Sequence, residues 1–167
     1  MYNGQYMRSA KNMKLKRVTN NPAQTKKFAE ILARQILKNG PQKEAFVIGL
    51  IGDLGGGKTT FLQGFAKGLG IRDRVLSPTF VIFKRFKIQN SKFKNFYHFD
   101  CYRIKDPKEV LTLGFVDIIK NPEAIVSVEW ADRIWKILPK DSMIVEFEFL
   151  NEKKRTIEIV MYPGVDN

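Results

Sequence analysis

A chain of 167 residues has the size of one domain and can bury a core of ordinary extent. Apolar residues at 44% and charged ones at 28% exclude a chain too polar to fold. The longest apolar run, residues 45–51, is far short of the roughly 20 residues that cross a bilayer, and the opening residues, with Arg8, Lys11 and Lys14, lack a signal-type apolar stretch. The single cysteine, Cys101, can form no internal disulfide, so the cytoplasm is the expected location. Lys and Arg number 29 against 17 Asp and Glu, a net charge of +12. Part of the excess is local: no acidic residue precedes Ala29, while Arg8, Lys11, Lys14, Lys16, Arg17, Lys26 and Lys27 are all cationic. Such a charge gathers polyanions, RNA foremost. A solubilising face on a lysine-rich background would explain it equally.

Residues 1 to about 16 show no hydrophobic periodicity, so a single ordered domain is expected over 18–162, with a basic tail at 1–17 and a short one at 163–167. Asn21 and Pro22 read as the N-cap and first position of a helix. Phe28, Ile31, Leu32 and Ile36 continue it at helical spacing until Gly40 and Pro41. Residues 45–51 are apolar on both faces, as in a central parallel strand. The next helix opens at a glycine-rich turn, buries Phe61, Leu62, Phe65 and Leu69, and ends at Gly70. Residues 79–88 and 93–99 read as strands joined through Gln89, Asn90 and Ser91. Asp106 and Pro107 start a helix carrying Val110, Leu111 and Phe115. Residues 124–128 form a buried strand ending in Glu129 and Trp130, followed by a short helix over 131–137. Residues 143–149 and 156–161 alternate as a terminal hairpin around Glu152, Lys153 and Lys154. The pattern predicts one α/β domain, P-loop NTPase-like, with a mostly parallel central sheet, flanking helices and a C-terminal β-hairpin.

The pattern G-x-x-x-x-G-K-[ST] is met by Gly52, Gly57, Lys58 and Thr59, between the buried strand and the amphipathic helix. Glycines let backbone N–H groups close around phosphate oxygens, and the helix N-terminus adds about half a positive charge. Lys58 can reach the β- and γ-phosphates of ATP, and the Thr59 hydroxyl can bind Mg²⁺. A second carboxylate is needed near the metal, and Asp100 and Glu129 each end an apolar strand where it would stand. Thr79, within Ser77-Pro78-Thr79-Phe80, suits a sensor of the γ-phosphate or a plain turn. Asp53 suits a loop-holding role. His98 reads as core. Trp130 is either packing or a cover for the site. Cys101 has no companion at metal spacing, so zinc is not expected.

Several motifs together resemble the TsaE family, the ATPase of tRNA threonylcarbamoyladenosine biosynthesis. They are Gly52-Asp53-Leu54-Gly55-Gly56-Gly57-Lys58-Thr59-Thr60, Ser77-Pro78-Thr79-Phe80, Tyr97-His98-Phe99-Asp100-Cys101-Tyr102-Arg103, Leu113-Gly114 and Val128-Glu129-Trp130. The opening Asn21-Pro22-Ala23-Gln24-Thr25 is similar too, and the likeness spans about residues 18–162. It implies that Leu54, Gly55, Gly56, Gly57, Lys58 and Thr59 wrap the phosphates, that Thr60 contributes, and that Pro22 lies by the nucleotide. It implies Thr59 and Glu129 as Mg²⁺ ligands, with Lys58, Thr79, Asp100, Glu129 and Trp130 in the catalytic machinery. It further implies action with the TsaB–TsaD complex on adenosine 37 of tRNAs that read codons beginning with A. Two departures are visible: Gly56 stands where the family usually has alanine, and Cys101 where it usually has leucine.

A small-molecule kinase shares the P-loop, but Arg72, Arg74, Arg85 and Arg103 form no compact arginine lid. ATP turnover without an acceptor separates the two. A nucleotide-gated binding module without chemistry is the third reading, and the pair Asp100 and Glu129 argues against it.

Overall fold

The computed structural model describes residues 15–76 and 81–162. Thr79, with residues 77–80, and the tails over 1–14 and 163–167 lie outside the described residues.

Asn21 is extended, and its side-chain oxygen accepts from Gln24 N at 2.9 Å, so the expected cap starts α1, Pro22–Asn39. β2, Phe46–Gly52, leads through the glycine-rich loop into α2, Lys58–Gly68, which closes at Leu69 and a left-handed Gly70. β3, Phe83–Lys87, is shorter than the strand expected over 79–88, and β4 is Asn95–Asp100. Two short helices follow, α3 (Lys108–Leu111) and α4 (Phe115–Lys120). β5 is Ala124–Glu129, and the helix after it is a 3-10 helix, Ala131–Ile137. β6, Met143–Phe149, and β7, Arg155–Met161, form the hairpin. Before all of these stands β1, Leu15–Thr19, which begins inside the stretch read as tail. Its side chains are exposed except Thr19, and it is held by antiparallel pairing to β7.

The seven strands make one sheet in the order β1-β7-β6-β2-β5-β4-β3. The expectation of a mostly parallel sheet is corrected here: the sheet is mixed. β2 pairs in parallel with β5 and β6, and β4 with β5, but β3, β7 and β1 join antiparallel. The connections explain it. Residues 88–94 and 150–154 are too short for a parallel crossover, which takes a dozen residues or more.

Side chains alternate across the sheet. Ile48, Leu50, Phe96, Ile125, Val145 and Ile157 pack under α1 and α2, while Val47, Ile51, Phe99, Val126, Val128 and Ile144 form the second core on the opposite face. α1 and α2 touch backbone to backbone because a Cβ at Gly64 would overlap the Lys26 carbonyl and one at Gly68 would lie 2.5 Å from Glu30 O. At the other end of α2, Thr59 meets Glu129, the last residue of β5.

Candidate functional site

The loop between β2 and α2 is shaped by two glycines that no other residue could replace without strain. Gly52 has φ 137° and Gly57 φ 104°. A Cβ at Gly52 would lie 2.5 Å from Phe147 O, and one at Gly57 2.8 Å from Arg155 Nη1. Between them Gly56 N donates to Asp53 O at 3.0 Å, so Asp53 holds the turn by its carbonyl. A Cβ at Gly56 would meet that carbonyl at 2.9 Å, so the turn is drawn tighter here than an alanine would allow. Leu54 stands exposed beyond the turn. The first N–H groups of α2 have no intrahelical acceptor and carry the positive end of the helix dipole.

Lys58 folds back over this loop. Its Nζ donates to Gly52 O at 2.6 Å and Asp53 O at 2.8 Å, and sits 4.0 Å from the centre of the Trp130 ring. Burial pushes the Lys58 ammonium below its ordinary value, opposed by the carboxylates of Glu129, Asp132, Asp53 and Asp100. Trp130 reaches it from a left-handed backbone, φ 58° and ψ 46°, an uncommon conformation for a bulky residue. The Tyr102 ring packs against the indole, with centroids 5.0 Å apart and the rings tilted by 51°.

His98, Asp100, Ser127 and Glu129 occupy alternate positions of β4 and β5 on the α2 side, and the register pairs Asp100 with Glu129. Glu129 is buried, with Oε2 accepting from Thr59 Oγ1 at 3.1 Å and Oε1 2.8 Å from His98 Nε2. Asp100 Oδ1 accepts from Tyr102 N at 3.0 Å, fixing the turn after β4. Thr60 is half-buried in the first turn of α2. Pro22 enters α1 three residues after Thr19, and Thr19 pairs with Arg155, the residue against Gly57. The helix start therefore enters beside the loop.

The structure thus brings together Lys58, Thr59, Glu129 and Trp130, with Asp100 at the adjoining strand end. Thr79 lies outside the described residues. Two residues at the site are not evident from the sequence. His98 looks like core because its strand is apolar; its polarity amid Phe96 and Phe99 is the one signal that it has a partner. Arg155 comes from the far hairpin, and nothing local in the sequence connects it with the loop.

Buried Cys101 lies just beyond Asp100, its thiol pushed up to about 12 by burial first and the Asp100 and Asp132 charges next. It stays a neutral packing group. An open cleft of about 740 Å³ lies apart from the loop, lined by Lys26, Lys67, Arg72 and Arg74 among others.

Comparison with known proteins adds the lineage. The family model described as threonylcarbamoyl adenosine biosynthesis protein TsaE matches residues 19–157. The tRNA threonylcarbamoyladenosine biosynthesis protein TsaE of Haemophilus influenzae is 38% identical over 135 residues, 81% of this chain and 79% of that protein. Its namesake from Bacillus subtilis is 38% identical over 143 residues, 86% of this chain and 83% of that one. The crystal structure of YdiB from Bacillus subtilis superposes with a TM-score of 0.70 at 31% identity, covering 90% of this chain and 86% of that one. With a matching family model over most of its length and relatives of this similarity, the chain belongs to the TsaE family.

Proposed function

We propose that this chain is a P-loop NTPase-like ATPase that binds ATP and Mg²⁺ at residues 52–59 and serves the formation of threonylcarbamoyladenosine at adenosine 37 of tRNA, together with a TsaB–TsaD complex. The observation that carries the reading is the 3.1 Å contact of Thr59 Oγ1 with the buried Glu129 carboxylate, at the head of a helix whose free N–H groups face the same space. Two hard oxygen donors fit Mg²⁺, which takes few protein ligands and completes its shell with water and substrate phosphates.

Thr59 and Glu129 would hold Mg²⁺, and its positive charge would offset the charge that develops as the terminal phosphoryl group leaves. The chain's own groups do the rest. The backbone N–H groups of Leu54, Gly55, Gly56, Gly57, Lys58 and Thr59 hold phosphate oxygens, and Lys58 Nζ exchanges Gly52 O and Asp53 O for the β- and γ-oxygens. Lys58 is buried, and in such surroundings its attraction to phosphate oxygens is stronger than in water. Trp130 covers Lys58 and limits water on that side. Asp100, in register with Glu129, is placed to orient the attacking water, and Thr79 would report the γ-phosphate. Thr60 extends the phosphate contacts by one residue, and Pro22 flanks the nucleotide.

Cations support a role beside RNA: net +12 overall, and Lys26, Lys67, Arg72 and Arg74 around one cleft. No helix among the described residues is long and apolar enough to cross a membrane, and the cytoplasm is the proposed location. The reading is tested by reconstitution. With TsaB, TsaD, tRNA, ATP and a ready-made activated threonylcarbamoyl donor, adding the chain should raise the yield of modified adenosine well above the first turnover. A yield independent of the chain contradicts it.

A further inference from the structure

Arg155 opens β7 on the α1–α2 face of the sheet, alternating with the core residues Ile157 and Ile159. Its side chain is drawn inward, leaving the residue 6% exposed, and Nε is buried with no partner. Among the described residues the guanidinium makes no side-chain hydrogen bond or ion pair. Glu30, another buried charge, behaves differently. It is 5% exposed and meets Arg34 at 2.6 Å and Lys67 at 3.4 Å. A buried guanidinium without an anion is costly, and folding alone gives no reason to keep it.

Its surroundings say what would repay it. Nη1 and Cδ are the atoms that a Cβ on Gly57 would strike, at 2.8 and 3.0 Å, so the guanidinium lies along the backbone of the loop. The start of α2 lies directly beside it, and the first N–H groups of that helix have no intrahelical acceptor. Register ties the same spot to the start of α1 through the Thr19–Arg155 pair. Arg155 is thus held by strand pairing against the loop with a buried donor, Nε, still unpaired.

We propose that Arg155 is a ligand of the nucleotide's polyphosphate, giving the loop from the β7 side a forked donor that Lys58 cannot supply. The proposal rests on the nucleotide reading above and adds a residue to that site.

The test is calorimetric titration of the full chain with Mg·ADP and, separately, with Mg·tripolyphosphate, for wild type, Arg155→Met and Arg155→Lys, with thermal melts taken without ligand. Arg155→Met should weaken both ligands about tenfold or more, while its ligand-free melting temperature stays at or above that of wild type. Arg155→Lys, which keeps the charge but not the fork, should fall between them. Unchanged binding of both ligands by Arg155→Met overturns the proposal. So does loss confined to ADP, which would assign Arg155 to the base or sugar, and so does a lowered ligand-free melt with affinity intact in Arg155→Lys, which marks a purely structural residue. A wild type that binds neither ligand overturns the nucleotide reading itself, a separate outcome.

Discussion

His98 Nε2 lies 2.8 Å from Glu129 Oε1, and the other oxygen of that carboxylate faces Thr59. His98 is fully buried and its Nδ1 has no partner, which places the proton on Nε2, where an acceptor waits. The imidazole thereby fixes the carboxylate plane so that Oε2 points at the Thr59 hydroxyl.

Partners behind a metal ligand commonly matter by 10- to 100-fold in metal affinity. His98→Leu should therefore weaken Mg²⁺ binding to the ADP-loaded protein by about tenfold or more. His98→Gln, whose terminal amide sits near the position of Nε2, should recover most of it. Titration of Mg²⁺ into the ADP complex checks both variants; equal affinity in wild type and His98→Leu would show that Glu129 needs no support.

Trp130 combines a left-handed backbone with a ring 4.0 Å from Lys58 Nζ. Strained φ/ψ of this kind costs about 1–3 kcal/mol and is kept where the surroundings demand it. Trp130→Gly should unfold at higher urea than Trp130→Ala, by about 1 kcal/mol, because glycine accepts this backbone freely. Both should lose the cover on Lys58 and bind ATP more weakly. Urea denaturation of the pair separates backbone from side chain.

Gly64 allows α1 to rest on α2, since an added Cβ would overlap the Lys26 carbonyl, a backbone atom that cannot swing away. Gly64→Ala should destabilise the domain by about 3 kcal/mol, the upper part of the usual range for overpacking. The midpoint of chemical denaturation reads it directly.

Cys101 gives a pH dependence. Its thiol is raised from an ordinary 9.0 to about 12 in the folded protein, chiefly by burial. The folded state therefore binds the proton more tightly than the unfolded chain. This contribution to stability is complete below about pH 9 and is lost as pH climbs toward 12. Cys101→Ala should show a shallower fall in stability over that window. Native protein should resist alkylation at pH 8 and react once unfolded.

The sequence already contained what local chemistry decides. Asn21 and Pro22 mark the start of α1, the apolar run ending at Ile51 marks β2, and the hairpin of β6 and β7 shows in its alternation. Carboxylates closing apolar strands were enough to single out Asp100 and Glu129. What pairing decides was not readable. β1 has no apolar period because four of its five side chains face solvent, so only its ladder with β7 makes it a strand. The mixed sheet follows from strand order, which no single segment encodes. His98 and Arg155 belong to the site through contacts 31 residues away in one case and across the sheet in the other.

The central claim is that the buried Glu129, held between His98 and Thr59, makes this loop an Mg²⁺-dependent ATPase. Phosphate release from ATP in the presence of TsaB and TsaD, compared between wild type and Glu129→Gln over a range of Mg²⁺, tests it most directly. The account predicts Mg²⁺-dependent release by wild type and at least a hundredfold less by Glu129→Gln, with ADP still bound in the absence of metal. Equal release by the two proteins, or ATP left intact by wild type, would contradict it.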